Sequence, residues 1–209
     1  MESQATLNLV GLGVHTDSEL VQFAKDGNSE AFGQLVLRYR ERLYRLARRL
    51  TDTDEDAEDV LQESFIRAYS AISTFKGNSK FSTWLYRITV NFGLMKKRAR
   101  KSIFDYLDDP IETRQGQVRR EFPDAGPDPL KLLMEKECRD ILDEAILELA
   151  PADRAVFVLR HVDGLTTTQA SEALNLSVPA LKSRLHRSRM TLKGSLRNVF
   201  GDEPLAAAA

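Results

Sequence analysis

The chain has 209 residues, with 30 Lys and Arg against 31 Asp and Glu and 42% hydrophobic residues. That balance fits a globular chain of one or two small domains and excludes collagen-like, rod-like and wholly disordered architectures. No stretch approaches the roughly 18 apolar residues of a membrane helix, and the start, Met1-Glu2-Ser3-Gln4, lacks the basic segment of a signal peptide, so a cytoplasmic chain without membrane insertion is expected.

Residues 1–16 show no core pattern and read as a mobile N-terminal extension. From Glu19 to Leu50, apolar residues recur at three and four (Leu20, Phe23, Ala24, Phe32, Leu35, Val36, Tyr39, Leu43, Leu46, Leu50), which predicts helix, with Gly27-Asn28 dividing a short helix from a long one. Residues 52–63 then hold seven acids and no base. These acids suit the first turns of a helix carrying Val60, Leu61, Phe65, Ala68 and Ile72. The run imitates a calcium loop, but Ala57 stands where the sharp turn needs Gly and Asp59 where an apolar residue belongs, so helix-start acids or a docking face are the better reading. A fourth helix follows, marked by Phe81, Trp84, Leu85, Ile88, Phe92 and Met95. It lies in residues 71–104, which hold eight Lys and Arg and no acid.

Between 105 and 129 fall four of the seven prolines, with seven acids against three bases and no sustained period. This is the pattern of a flexible acidic linker. Helical spacing resumes at Leu130 and runs through Ile141, Leu142, Ala145, Ile146 and Leu149, and Pro151 opens another helix through Val156, Val158 and Leu159. Gly164 can end that helix. Thr166 and Gln169 form a capping box for the next, Asn175 fits a left-handed turn, and Ser177 caps a last helix with Pro179 in its first turn. On that helix Val178, Leu181, Leu185, Ser188 and Leu192 form one stripe. Ser183, His186 and Arg187 lie opposite, with Lys182, Arg184 and Arg189 on the flanks. Residues 173–201 carry six Lys and Arg and no acid. A short helix, a tight turn and a basic second helix with polar outward side chains form a helix-turn-helix, the geometry that enters a major groove. The fold class read from these patterns is all-α, two small helical domains joined by the linker, because no alternating strand pattern occurs.

Catalytic kits are missing from the pattern. There is no P-loop, no nucleophile elbow and no His-Glu-x-x-His helix. A single Cys138 with the scattered His15, His161 and His186 cannot pair internally and makes a poor zinc set, so neither enzyme chemistry nor a cofactor is expected.

Two sets of residues carry a resemblance. Asp56-Ala57-Glu58-Asp59-Val60-Leu61-Gln62-Glu63-Ser64-Phe65, then Phe75-Lys76-Gly77, then Phe81-Ser82-Thr83-Trp84-Leu85-Tyr86-Arg87-Ile88 with Asn91 resemble region 2 of the sigma factors. Asp163-Gly164-Leu165 and Leu176-Ser177-Val178 through Lys182-Ser183-Arg184-Leu185-His186-Arg187 resemble region 4. In that order they make the chain similar to a bacterial extracytoplasmic-function (group IV, sigma-70 family) sigma factor, although Pro179-Ala180 stands where many relatives have Gly-Thr. The resemblance implies a domain at 17–104 that binds RNA polymerase core and melts and reads the −10 element. It also implies a linker at 105–129, a −35-reading domain at 130–200 and a tail at 201–209.

The same resemblance implies site residues. Asp59, Gln62 and Glu63 would contact polymerase core. Phe75, Lys76, Gly77, Asn78, Ser79, Lys80 and Asn91 would form a pocket for an unstacked −10 base, Phe75 supplying an apolar wall, while Lys96, Lys97, Arg98, Arg100 and Lys101 would hold phosphates. Lys182, Ser183, Arg184, His186, Arg187 and Lys193 would meet −35 duplex. An anti-sigma factor is a further expected partner. Two other classes compete: a conventional helix-turn-helix regulator, which leaves the first module without a task, and a small helical enzyme using the 52–63 carboxylates.

Overall fold

The computed structural model describes residues 15–106 and 129–200. Apart from a few flanking residues, the sequence-predicted extension, linker and tail lie outside the described residues. Among those described, every regular element is helical: α1 (Asp17–Lys25), α2 (Ser29–Leu50), α3 (Asp54–Ala71) with a 3-10 turn (Ile72–Thr74), α4 (Phe81–Tyr106), α5 (Pro129–Glu148), α6 (Pro151–Phe157) running into a π-turn (Val158–Val162), α7 (Thr167–Leu174) and α8 (Val178–Phe200).

Local chemistry sets the helix ends. Thr16 and Glu19 close a capping box on α1. Gly27 then takes φ 93°, and the Asn28 side chain accepts the Ala31 N–H at 3.0 Å to start α2. Thr53 accepts the Asp56 N–H at 3.1 Å, leaving Asp54, Glu55 and Asp56 in the positive first turn of α3. In the second half Thr166 and Gln169 cap α7, and Asn175 at φ 50° ends it. Ser177 accepts the Ala180 N–H at 3.3 Å at the head of α8.

In the first module α2 packs against α1, α3 and α4 through Leu35, Leu43, Leu46 and Leu50, with Leu20 and Leu85 beside them. Helices α2 and α4 approach so closely at Gly93 that a Cβ there would lie 2.9 Å from Leu50 Cβ. The second module gathers Ile146, Val156, Leu159 and Leu181, and its buried side chains join those of the first in one continuous apolar cluster.

The two modules therefore pack directly on each other. Arg87 Nε donates to the Glu172 carbonyl at 3.0 Å, and Arg49 meets Asp143 at 3.1 Å. Arg154, only 4% exposed, donates to the Arg49 carbonyl at 3.4 Å and to the Leu149 carbonyl at 3.1 Å, and also to that of Leu147. One side chain thus caps the C-terminal ends of helices from both modules.

This packing turns α4 into a central helix. Thr83, Leu85, Tyr86, Thr89 and Val90 are all buried, whereas Trp84, Ile88 and Phe92 are half-buried and Met95 is 58% exposed. The buried residues thus extend around more of the helix than the apolar period of Phe81 to Met95 marks, and Met95, the last residue of that period, is largely exposed.

Candidate nucleic-acid and protein interface

Three surfaces gather the sequence-predicted residues. The first is a groove of about 380 Å³ between α3 and α4. It is lined by the acids Asp59 and Glu63 with the amide Gln62, by the apolar Val60, Phe92, Met95 and Ala99, and by Lys96 of α4. Lys96 Nζ sits 2.9 Å from Asp59 and 3.2 Å from Asp56. Hydrogen bonds to Asp59 and then Asp56 hold its ammonium above the usual lysine range. Burial pushes the Asp56 carboxyl up, but the hydrogen bond and charge of Lys96, helped by Thr53 and Arg100, outweigh it and leave this acid below its ordinary range.

The second surface is the turn after α3 and the outer side of α4. Lys76, Gly77, Asn78 and Lys80 are exposed and Ser79 is half-buried, with Gly77 at φ 73°. Phe75 is not on that outer wall. It is 9% exposed and packs 5.0 Å from the Trp84 ring and 6.0 Å from that of Phe81, so it anchors the loop from beneath. The apolar wall expected of it is corrected on that ground. Asn91 is exposed but lies ten residues into α4, roughly 15 Å along its axis.

The basic cluster that follows divides by helical phase. Arg98 is exposed and shares a stripe with Arg87 and Asn91, at spacings of four and seven. The other cations turn toward the acids: Lys97 pairs with Asp52, and Arg100 with Asp56 at 2.8 Å. Much of the sequence-predicted phosphate-binding charge is already neutralised within the fold. The side chain of Lys101 lies outside the described residues.

The third surface is the outward face of α8. Of the predicted stripe Leu181, Leu185, Ser188 and Leu192 are buried, whereas Val178 at the head of the helix is 38% exposed, and Lys182, Ser183, His186, Arg187 and Lys193 are exposed on the other side. Arg184 is half-buried on the flank and pairs with Asp153 at 3.0 Å. Arg189 meets His161 at 3.0 Å. Burial, then the charges of Arg189 and Arg160, pull that imidazole below the usual histidine range.

Sequence comparison identifies the family. A sigma-70 region 2 profile matches residues 35–103, and a sigma-70 region 4 profile matches residues 139–192. The ECF RNA polymerase sigma factor SigW of Bacillus subtilis is 34% identical over 180 residues, covering 86% of this chain and 96% of that protein. The chain belongs to the ECF sigma factors. Its activity is promoter-specific initiation of transcription with RNA polymerase, and the family consists of non-enzymatic initiation factors.

The ECF RNA polymerase sigma-E factor of Escherichia coli K12 is 32% identical over 188 residues, covering 88% of this chain and 96% of that factor. Among solved structures, CnrH in complex with the cytosolic domain of CnrY matches 87% of this chain and 97% of its own length, at TM-score 0.62 and 27% identity. The sigma factor RpoE in complex with the anti-sigma factor NepR from Bartonella quintana has the same TM-score at 22% identity, a likeness of fold. No described helix is long and apolar enough to cross a membrane.

Sequence reasoning gave no role to Asp153 or Arg154, and quoted Asp163 only as part of a motif. Asp163 lies in the turn before α7, facing Arg42, Arg45 and Arg49 of α2 and Tyr86 of α4. Its Oδ2 is buried without a hydrogen-bond partner among the described residues. Burial pushes its carboxyl up to about 6, against the pull of the three arginines. Burial, followed by the Asp163 charge, likewise pushes the Tyr86 hydroxyl up to about 12.

Proposed function

We propose that this sigma factor divides its work among the three surfaces, with the α3–α4 groove as its dock for polymerase core. The observation that carries this is the grouping of Asp59, Gln62 and Glu63 with the apolar Val60, Phe92 and Met95 in one groove. A basic helical hairpin would bring cations to the acids and an apolar side chain to the apolar lining, gaining steering from charge and affinity from burial. It would also displace Lys96 from Asp59.

The turn Lys76–Ser82 and Asn91 then take the opened −10 strand, with Arg98 further along the same stripe for a phosphate. Phe75 holds the turn in place. Capturing unstacked bases offsets the few kcal/mol that opening costs. The outward face of α8 reads −35 duplex through Ser183, His186 and Arg187, with Lys182 and Lys193 placed for phosphates.

The chain acts in the cytoplasm and performs no chemistry of its own; bond formation belongs to the polymerase. A conventional helix-turn-helix regulator would leave the acidic groove and the exposed turn unused. An inhibitory protein of the anti-sigma class is a further partner in this reading. The likeness to CnrH, solved with CnrY bound, supports it.

Addition of the purified protein to sigma-free core polymerase tests the assignment, with promoter-dependent RNA as the expected product. The doubly substituted Asp59→Ala, Glu63→Lys protein should stay folded, since both side chains are exposed, and should lose core binding. Retention of core at wild-type strength by this variant would remove the groove from the interface.

A further inference from the structure

Asp153 stands in the first turn of α6 with its side chain only 16% exposed. A carboxylate there is ordinarily read as a partner of the helix dipole. In this fold it reaches across to α8, where Arg184 Nη1 lies 3.0 Å away and Arg187 Nη2 lies 3.5 Å away.

The backbone fixes that reach. Ser188 Oγ lies 3.0 Å from the Asp153 carbonyl and 2.9 Å from the Arg184 carbonyl, sharing its one hydrogen between them and bringing the start of α6 against the middle of α8. Leu185 and Leu192 on the same helix are buried in the core. The carboxylate is therefore held at a set height under the two arginines.

The arginines differ in what the contact leaves them. Arg184 is 33% exposed and spends its charge largely on Asp153. Arg187 is 62% exposed and touches the carboxylate through one Nη only. A free arginine side chain samples many rotamers, and reading a guanine edge by two hydrogen bonds requires one orientation of the guanidinium plane. A carboxylate beneath one edge of the plane supplies that orientation.

We propose that Asp153 is a positioning residue for −35 readout, using its carboxylate to hold Arg184 as a strut and to orient Arg187 toward a base edge in the major groove. The inference rests on the reading of α8 as the −35 reader. It adds a specificity element from outside the helix-turn-helix. It also assigns Arg184 to support, away from direct base contact. Through Arg184 the acid has a second effect: it keeps a cation off the phosphates that would otherwise bind any sequence.

The experiment uses holoenzyme assembled on core polymerase, with binding selection over a randomised −35 element and affinity for a scrambled promoter across a salt series. The variants are Asp153→Asn, Asp153→Glu and Arg187→Ala, each checked by thermal melting. Asp153→Asn retains the Ser188 bond to the backbone carbonyl, so the helices stay clasped. It should lower discrimination at the position read by Arg187 by roughly five- to tenfold, part of what a good bidentate contact provides. Affinity for scrambled DNA should hold or rise, with a salt dependence steeper by up to about one unit as Arg184 turns to phosphate. Asp153→Glu should restore most of the discrimination.

An unchanged selection profile in Asp153→Asn, beside an altered one in Arg187→Ala, would overturn the proposal while leaving α8 as the reader. Equal weakening on all sequences would reduce Asp153 to a packing role and overturn it as well. If Arg187→Ala also left the profile unchanged, the underlying assignment of Arg187 would fall, and the proposal with it.

Discussion

Asp163 offers the most direct test of how the two modules hold together. Burial at the module contact raises its carboxyl from 3.8 to about 6 despite the arginines 42, 45 and 49. Closing the modules over the ionised acid is therefore unfavourable. For an acid whose pKa is raised in the closed fold, the penalty is absent below about 4, where the group is protonated in open and closed forms alike. It grows as pH rises toward 6 and is fully present above that. A shift of about two units corresponds to at most ~3 kcal/mol, and partial solvent access reduces this to ~1–3 kcal/mol.

Asp163→Asn keeps the shape and removes the ionisation. Urea unfolding of wild type and variant at a series of pH values should give equal stabilities near pH 4, and a variant more stable by ~1–3 kcal/mol at pH 7.5, roughly 2–10 °C in Tm for a chain of this size. Using the difference between the two proteins cancels other groups, such as Asp56, whose lowered pKa makes stability fall on acidification. Because the penalty acts on module contact, the scattering radius of the wild type should also grow between pH 5 and 7.5 more than that of the variant. Parallel stability curves across this range, or a variant weaker at pH 7.5, would refute the reasoning.

The close approach of α2 and α4 makes Gly93→Ala destabilising, by ~1–3 kcal/mol of overpacking against Leu50 less the helix preference of alanine, measurable by urea denaturation. A more stable variant would show that Leu50 moves aside easily. Arg154→Ala leaves the carbonyls of Arg49, Leu147 and Leu149 without this donor and should cost ~2–4 kcal/mol, with a loss of module contact visible by scattering. Asn91→Ala should slow promoter opening more than initial binding and regain activity on a premelted −10 template. Equal defects on both templates would point away from a base-capturing role.

The features legible in the sequence were those written in local chemistry. Thr166 with Gln169, Asn175 and Ser177 each act within a few residues of themselves, so the helix-turn-helix could be laid out cap by cap, and the stripe of Leu181, Leu185 and Leu192 named its inward face. The acidic block at 52–63 was visible as a block for the same reason. Its partners were not. Lys96 is 37 residues from Asp59 and Lys97 is 45 residues from Asp52, and the basic window read as free charge until the fold brought the blocks together. Helix α4 misled in a related way: periodicity identifies one buried face, whereas Thr83, Thr89 and Tyr86 are buried as well, Tyr86 beside Asp163 of the second module. Asp153 was hidden by a good alternative, since an acid after Pro151 already has a use at a helix start.

These long-range contacts set a condition on function. A compact body of about 160 residues is roughly 40 Å across, whereas two promoter elements about two helical turns apart are separated by roughly 70 Å, at about 34 Å per turn. If the α4 and α8 surfaces take the −10 and −35 elements as proposed, modules joined by Arg154, the Arg49–Asp143 pair and the Arg87–Glu172 bond cannot place them at that spacing, and promoter reading requires the modules to separate. The separation exposes Leu and Val side chains of the shared cluster and returns Arg42, Arg45, Arg49 and Arg87 to solvent or to new partners. Polymerase core must supply contacts that replace both. The α3–α4 groove remains accessible in the closed form. With the groove as the proposed core dock, docking can therefore precede opening, and binding energy gained there is available to draw the second module away.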